Sequence, residues 1–266
     1  MPEAEASMQN YRAVAVAAAL QAGKIIADAY RTDFKVYYKE GTHTNLVTEV
    51  DRRSEAAIVE VLCGAFPKHH VLAEEGGEAS GKESTHRWYV DPLDGTTNFA
   101  HGFPIFCISI GLEAEGRMIL GVVYDPLRQE LFEATAGQGA LLNGERIHVS
   151  NVKELRKALL VTGFPYDHAG RQENLPYFSR FALESQGLRR TGSAAMDLCY
   201  LAAGRIDGFW ELGLKPWDVA AGSLMVIEAG GRITDLWGQP FAVRGTQTLA
   251  SNSLIHQAMI DVIATK

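Results

Sequence analysis

Residues 88–101 read WYVDPLDGTTNFAH, and they carry the most informative pattern in the chain. An aromatic and apolar strand, Trp88–Val90, leads directly into two carboxylates, Asp91 and Asp94, three positions apart. Gly95 then allows the backbone to approach a ligand closely, and the next residues can begin a helix whose first N–H groups favour an anion. Two hard oxygen ligands beside an anion site are what a Mg²⁺–phosphate complex requires. The segment therefore predicts a metal-dependent phosphate site.

The same segment has a simpler interpretation, because Asp-Pro-x-Asp-Gly sequences are also common in surface turns. The apolar strand before it and the TTNFxH sequence after it favour the binding site over the turn.

Two further acidic segments fit this chemistry but leave alternatives open. Residues 217–222 read WDVAAG and begin an amphipathic helix that a Gly-Gly pair would end, so Asp218 can be a ligand or only the N-cap of that helix. Glu74 and Glu75 follow an apolar run and precede two glycines, which is equally typical of a solvated turn.

Together these segments resemble the inositol monophosphatase family, within the lithium-sensitive, magnesium-dependent sugar-phosphatase superfamily. The two motifs, DPxDGTxNF and WDxAAGxxxxxEAGG, are both present in the right order, and the resemblance covers nearly the whole chain. It implies an α+β fold of alternating helix and sheet layers, with the site between two halves. It also implies a Mg²⁺-dependent phosphatase acting on a small sugar or polyol monophosphate, with inositol 1-phosphate as the first choice, in a homodimer.

The resemblance assigns the metal and catalytic roles residue by residue. It implies that two to three Mg²⁺ ions are held by Glu74, Asp91, the Leu93 carbonyl, Asp94 and Asp218. Thr96, paired with Asp51, would orient and deprotonate the attacking water, with Glu74 in the same catalytic set. The N–H groups of Gly95 and Thr96 would receive the phosphate. Four carboxylates packed without cations would repel one another and raise their own pKa values.

The expected substrate-binding residues come from the same resemblance. Glu211, seven residues before Asp218, would accept protons from sugar hydroxyls, although an ordinary charge at a strand end is its simpler interpretation. The wall against the sugar ring would be Gly192, Ser193, Ala194 and Ala195, with Asp218 nearby. Asp207 is a weaker candidate. Lys39 matches a family lysine near the phosphate loop, with a flexible, solvated lysine as the open alternative. His101 is expected to be structural rather than a catalytic base.

The resemblance leaves the substrate and a second role open. Fructose 1,6-bisphosphate, NADP, histidinol phosphate and 3′-phosphoadenosine 5′-phosphate are all hydrolysed on this scaffold, and the small wall beside Glu211 favours a neutral polyol over an adenine nucleotide. Some bacterial members of the family also act as partners of the transcription machinery. Here the basic pair Arg189-Arg190 could serve RNA polymerase or nucleic acid, but a solvated or dimer-facing pair is the simpler interpretation.

Composition limits the other possibilities. The 266 residues include 25 Lys and Arg against 32 Asp and Glu, a formal net charge of −7, which argues against coating nucleic acid. The three cysteines, Cys63, Cys107 and Cys199, are far apart and predict buried thiols in a reducing compartment. The apolar stretch Ala13–Leu20 is too short to span a bilayer, and the acidic N-terminus is unlike a signal peptide, so we expect a cytoplasmic location and no membrane contact.

Hydrophobic spacing predicts one compact unit, with a β-rich N-terminal α+β subdomain over 1–150 and a C-terminal α/β subdomain over 151–266. The resemblance implies that this unit is a single phosphatase domain over 1–266. The predicted helices are Tyr11–Tyr30, Asp51–Leu62, Asn174–Gln186, Ser193–Ala203, Trp217–Ala229 and Ser253–Thr265. A hairpin or extended loop is predicted over Val36–Val50, and a tight turn at Asn143-Gly144 between two short strands. The other predicted strands are His69–Ala73, Trp88–Val90, Ile105–Leu112, Met118–Tyr124, Glu130–Ala134, Ala158–Thr162, Asp207–Glu211, Arg232–Asp235 and Thr248–Ala250.

Overall fold

Helices and strands alternate through the chain, of which a computed structural model describes residues 2–39, 45–79 and 85–265. The α-helices are α1 (Pro2–Ala29), α2 (Glu49–Ala65), α3 (Thr96–Ala100), α4 (His168–Glu184), α5 (Ala194–Ala202), α6 (Pro216–Glu228) and α7 (His256–Ala264), and one 3₁₀ turn spans Leu155–Lys157. The strands are β1 (Val36–Tyr38), β2 (Leu46–Thr48), β3 (His70–Ala73), β4 (Gly77–Ala79), β5 (His86–Asp94), β6 (Cys107–Ala114), β7 (Arg117–Asp125), β8 (Glu130–Thr135), β9 (Gly139–Leu142), β10 (Glu145–Ile147), β11 (Leu159–Thr162), β12 (Gly187–Arg189), β13 (Gly208–Leu212), β14 (Arg232–Thr234) and β15 (Gln247–Ser251).

Two large sheets organise these elements. The first has eight strands in the order β10-β9-β8-β7-β6-β5-β3-β4, and only β3 and β5 pair in parallel. The second has five strands in the order β12-β11-β13-β15-β14, with a parallel part around β11 and an antiparallel part around β15. The first sheet ends at Ile147 and the second begins at Leu159; the subdomain boundary at residue 150 stays a prediction.

Helices cover both faces of each sheet. Helices α1 and α2 pack on one face of the eight-stranded sheet, and α5 and α6 pack between its other face and the five-stranded sheet. Helices α4 and α7 cover the outer face of the second sheet. The alternating layers predicted for this α+β fold are confirmed.

The six predicted helices all form, although their ends move by several residues. Helix α1 begins at Pro2 instead of Tyr11, and α4 begins at His168 instead of Asn174 because Asp167 caps it by accepting the Gly170 N–H at 2.8 Å. The predicted hairpin over Val36–Val50 is present as the antiparallel pair β1–β2, while its centre, residues 40–44, lies outside the described residues. The three-residue strands β4 and β12 were not predicted, because they are too short to show a period.

The cysteine prediction is partly wrong. Cys107 and Cys199 are buried, but Cys63 is only partly buried, and none of the three forms a disulfide in the described structure. In the described part of the chain, no helix is both long and apolar enough to cross a bilayer.

Strand β5 contains the irregularity that matters most for the site. We predicted that the strand ends at Val90, but it continues through Pro92 to Asp94. Its pairing with β6 slips between Asp91 and Asp94, so that three steps along β5 oppose two steps from Ser109 to Cys107. In a regular strand residues three apart point to opposite faces, and one extra residue in a bulge reverses that relation. Both carboxylates therefore line the same cleft.

Candidate active site

A cleft of about 550 Å³ opens beside the end of β5. Its lining comes from both sheets and from the helices between them, and includes residues 91 and 93–96, 163–167, 192–194 and 211–215, together with Lys39, Glu74 and Asp218. The structure thus brings together in one cleft every metal ligand that the resemblance implied: Glu74, Asp91, Leu93, Asp94 and Asp218.

The two carboxylates of β5 are held in different ways. Asp91 Oδ1 accepts the N–H of Leu93 at 3.0 Å, which closes the bulge on itself. Asp94 Oδ2 accepts the Ser193 hydroxyl and the Ala195 N–H, each at 2.7 Å. Both residues line the cleft.

Thr96 and Asp51 are in direct contact, although 45 positions separate them in sequence. Thr96 Oγ1 lies 2.8 Å from Asp51 Oδ1 and 2.9 Å from the Leu93 carbonyl oxygen. Asp51 lies in the first turn of α2, where its other oxygen accepts the Thr48 N–H at 2.8 Å and the Thr48 hydroxyl at 2.5 Å. This reciprocal cap fixes the orientation of the Asp51 carboxylate independently of its contact with Thr96.

Glu74 follows β3 in the turn to β4, and Lys39 reaches this turn from the end of β1. Lys39 Nζ lies 2.7 Å from Glu74 Oε1 and 2.7 Å from Glu75 Oε1. The turn is therefore not simply solvated, since its two carboxylates share one ammonium group in the cleft.

Asp218 is not the N-cap of α6. Lys215 occupies that position, and Asp218 is the third helical residue, whose Oδ2 accepts the Lys215 N–H at 2.6 Å. Small residues bring the helix close to the first sheet: a Cβ on Gly121 would lie 2.7 Å from the Ala221 carbonyl oxygen. This close approach carries Asp218 to the carboxylates of β5.

The carboxylates in the cleft are buried and repel one another. Burial raises the pKa of Asp91 well above its usual range, and the charges of Glu74, Asp94 and Asp218 raise it further. Burial likewise raises the pKa of Asp94 to about 6, against the stabilising bonds from Ser193 and Ala195. The pKa of Asp218 is raised well above its usual range, again mainly by burial. A divalent cation would relieve all three effects.

Four carboxylates and a backbone carbonyl make a set of hard oxygen donors that suits Mg²⁺. Among the described residues, however, no three His, Cys, Asp or Glu side chains are already arranged as a metal cage. Lys39 is one reason why the donors are not arranged as a cage, because its ammonium group pairs with Glu74 and neutralises the charge that a metal ion would otherwise neutralise. The donor chemistry fits the ion.

The expected substrate wall is only partly present. Gly192, Ser193 and Ala194 line the cleft, whereas the Ala195 side chain is fully buried and its N–H supports Asp94. Ser193 has a second use, because its hydroxyl donates to the same carboxylate.

Glu211 lies at the back of the cleft with 8% of its surface exposed. Burial raises the pKa of Glu211 well above its usual range, helped by the charges of Asp197 and Asp94 and opposed by Arg190. A side chain on Gly163 would collide with this carboxylate, so the glycine provides the space for it.

Two other candidates lie outside the cleft. Asp207 is committed to structure, since it accepts the Ser150 hydroxyl at 2.5 Å and the Leu159 N–H at 2.7 Å. His101 is exposed at the C-terminal end of α3.

Sequence reasoning did not single out several residues of the cleft. Tyr166 and Phe164 follow β11, and Asp197 lies in the first turn of α5 with 1% of its surface exposed. Arg189 and Arg190 are both exposed, and Arg190 also lines the cleft, whereas Arg189 does not. A chain leaving a parallel strand of a sheet is a common place for ligand contacts, and that rule could have identified residues 163–167.

Comparisons with known proteins show the family of this chain. The sequence matches the inositol monophosphatase family over residues 7–265. The Nus factor SuhB of Escherichia coli is 43% identical over 250 residues, 93% of each chain. The inositol-1-monophosphatase of Synechocystis is 43% identical over 258 residues, which is 97% of this chain and 90% of that protein.

Solved structures match over the same length. The extragenic suppressor protein suhB of Bartonella henselae has a TM-score of 0.92 at 41% identity, and the match covers 96% of this chain and 98% of that one. An IMPase/NADP phosphatase complexed with Mg²⁺ and phosphate has a TM-score of 0.81 at 26% identity, over 92% of each chain.

Proposed function

We propose that this chain, which belongs to the inositol monophosphatase family, is a Mg²⁺-dependent phosphatase that hydrolyses inositol 1-phosphate. The observation that carries the proposal is the pair formed by Thr96 and Asp51, 2.8 Å apart, beside the carboxylates of the same cleft. A hydroxyl held by a buried carboxylate next to a set of metal donors suits activation of water for attack on a phosphate.

Asp51 and Thr96 would handle the proton of the attacking water. Burial raises the pKa of Asp51 to about 6, so the carboxylate is ionised near neutral pH and can still accept a proton. The water donates to Thr96 Oγ1 while the Thr96 hydroxyl proton moves toward Asp51 Oδ1. Because Thr48 fixes the other oxygen of Asp51, the acceptor does not turn away.

Glu74, Asp91, Asp94, Asp218 and the Leu93 carbonyl would hold two to three Mg²⁺ ions. Bound Mg²⁺ would lower the pKa of the attacking water and balance charge on the phosphoryl oxygens. Asp94 is kept in place by Ser193 and Ala195, which supports its use as a ligand. The Mg²⁺ and phosphate of the IMPase/NADP phosphatase neighbour further support the assignment.

The substrate assignment rests on Glu211 and its surroundings. Glu211 lines the cleft together with the small residues Gly192 and Ala194, so a ring bearing hydroxyls would find a hydrogen-bond acceptor there. A nucleotide base offers fewer hydroxyl donors at this position. We therefore place a polyol monophosphate ahead of NADP, fructose 1,6-bisphosphate, histidinol phosphate and 3′-phosphoadenosine 5′-phosphate.

A substrate panel at fixed Mg²⁺ tests the proposal. We expect the highest kcat/KM for inositol 1-phosphate, complete loss of activity on chelation, recovery on adding Mg²⁺ and inhibition by millimolar lithium. Activity that survives chelation would contradict the metal mechanism. A preference for a bisphosphorylated nucleotide would contradict the substrate.

A second candidate function comes from the name of the E. coli relative, a Nus factor. We infer that this chain could also act in transcription, with Arg189 outside the cleft as one available contact. Copurification with RNA polymerase that is unchanged in Asp94→Asn would support this role. No copurification with the wild-type chain would contradict it. The homodimer and the cytoplasmic location stay predictions.

A further inference from the structure

The turn that carries Glu74 is held from behind by a buried carboxylate on α2. Glu55 Oε2 accepts the N–H of Glu75 at 2.8 Å, and only 7% of the Glu55 surface is exposed. The Gly76 N–H also stabilises this carboxylate. Glu55 thus binds the backbone of the turn, while Lys39 contacts its two side chains.

Gly76 makes the contact possible. A Cβ at this position would lie 2.8 Å from Glu55 Oε1, which is closer than a carbon and an oxygen can pack. The turn therefore lies directly on the carboxylate, with no room for a side chain between them.

Helix α2 holds three segments of the cleft through neighbouring residues. Asp51 contacts Thr96, and the Ser54 hydroxyl donates to the Pro92 carbonyl oxygen at 2.8 Å. Glu55 adds the Glu74 turn to the same set. Asp51 and Glu55 are four positions apart, so they lie one above the other on one face of the helix. Helix α2 therefore fixes the positions of Thr96, the β5 bulge and Glu74 relative to one another.

We propose that Glu55 is a positioning residue that fixes the Glu74 carboxylate for divalent-cation binding. The proposal rests on the proposed function, because it assumes that Glu74 is a metal ligand. Its physical basis is that a turn anchored on its backbone needs little reorganisation when the ion binds, whereas a released turn must be ordered by the ion. Residues that orient metal ligands change metal affinity by about 10–100-fold when they are removed.

The conservative variant Glu55→Gln tests this directly. The amide keeps the shape of the side chain, but its NH₂ group cannot accept the second backbone N–H. Calorimetric titration with Mg²⁺ should give a dissociation constant raised about 10-fold, at the low end of the range for such residues. Glu60→Gln is the matched control, because Glu60 is exposed on the same helix; its Mg²⁺ affinity should equal that of the wild type.

Gly76→Ala disturbs the same contact from the other side and should also weaken Mg²⁺ binding. Its control is Gly64→Ala, since a Cβ on Gly64 in α2 meets nothing within 4 Å. The thermal midpoint of each metal-free protein separates positioning from folding. A lower midpoint in Glu55→Gln with unchanged Mg²⁺ affinity would overturn the proposal in favour of a structural role.

The same titration distinguishes this proposal from the proposed function. If the wild-type protein binds Mg²⁺ and Glu55→Gln binds it with equal affinity, the positioning role alone is overturned. Wild-type protein that binds no Mg²⁺ would overturn both.

Discussion

The hydroxyl oxygen of Thr96 lies 2.8 Å from Oδ1 of Asp51, and the same oxygen lies 2.9 Å from the Leu93 carbonyl. One hydroxyl proton can serve only one of these acceptors at a time. The hydroxyl therefore has a second acceptor when Asp51 is protonated, which suits a group that passes a proton on and stays in place.

Thr96→Val should reduce kcat by about 10²–10⁴-fold, the usual effect of losing a positioned proton-transfer group. The substitution keeps the shape of the side chain and removes only the hydroxyl. Thr248→Val is the control, because the buried Thr248 Oγ1 has no hydrogen-bond partner among the described residues. That variant should keep full activity, and an active Thr96→Val would contradict the role of the hydroxyl.

Asp94→Asn should lower turnover by orders of magnitude while the metal-free protein melts at the same temperature or higher. The amide oxygen still accepts from Ser193 and Ala195, and the substitution removes one charge from a cleft where burial raises the pKa of this carboxyl to about 6. An assay of phosphate release checks the turnover, and scanning calorimetry without Mg²⁺ checks the melting temperature. A large fall in the metal-free midpoint would indicate that Asp94 acts mainly in folding.

Lys39→Met should strengthen Mg²⁺ binding and lower the midpoint of the metal-free protein. The ammonium group lies 2.7 Å from an oxygen of Glu74 and of Glu75, so its loss leaves both carboxylates to an added cation. Lys24→Met is the control, because Lys24 is exposed and pairs with its helix neighbour Asp28 on the surface. Weaker Mg²⁺ binding in Lys39→Met would contradict the competition.

Gly163→Ala should raise KM for inositol 1-phosphate about tenfold, as expected from the loss of one good hydrogen bond, and leave kcat for a simple aryl phosphate unchanged. The added methyl group collides with Glu211 and displaces the carboxylate that we assign to sugar hydroxyls. Glu211→Gln should likewise raise KM for inositol 1-phosphate and leave kcat for the aryl phosphate unchanged. Equal losses for both substrates would place Glu211 in the phosphate chemistry instead.

Stability should fall at acidic pH through His256. Its Nε2 lies 2.9 Å from Thr234 Oγ1, whose proton goes to the Asp235 carbonyl, so Nε2 donates. Ser251 Oγ accepts the Ser253 N–H and lies 2.9 Å from Nδ1, where its hydroxyl proton suits a neutral ring.

Burial lowers the pKa of His256 to about 4, below the value of about 6.5 expected in the unfolded chain. The unfolded state therefore binds more protons, and stability that is complete above pH 6.5 is lost as the pH falls toward 4. Between pH 6.5 and pH 5, titration of His256 lowers the free energy of unfolding by about 2 kcal/mol. Chemical denaturation of His256→Gln should show a shallower loss over this range, and equal slopes would contradict the assignment.

The motifs made most of the site predictable. DPxDG and WDxAAG named Asp91, Asp94 and Asp218 because their residue types and spacing are tied to one chemistry. The layered fold followed from the resemblance, and helix periodicity located α2 and α6 to within a few residues.

The features that could not be predicted from the sequence depend on contacts between distant segments. The bulge in β5 exists only against β6, and the Lys39 contact joins two turns that no local pattern connects. The alternative that Asp218 is only an N-cap is wrong, because a sequence pattern does not fix the first residue of a helix exactly and the N-cap is Lys215. Tyr166 and Arg190 carry no motif of their own, and only the folded chain shows that they face the cleft.

The slip in β5 has a consequence for how this site tolerates genetic change. Four successive residues, from Asp91 to Asp94, present two side chains and one carbonyl to the same cavity because the strand holds one residue more than its neighbour. A point mutation removes a single donor. Loss of the one codon for Pro92 would leave two steps of β5 opposite two of β6, which keeps Asp91 and Asp94 on one face but removes the bulge that turns the Leu93 carbonyl toward Thr96. The extra residue therefore matters for the carbonyl donor, whereas the two carboxylates would share a face without it.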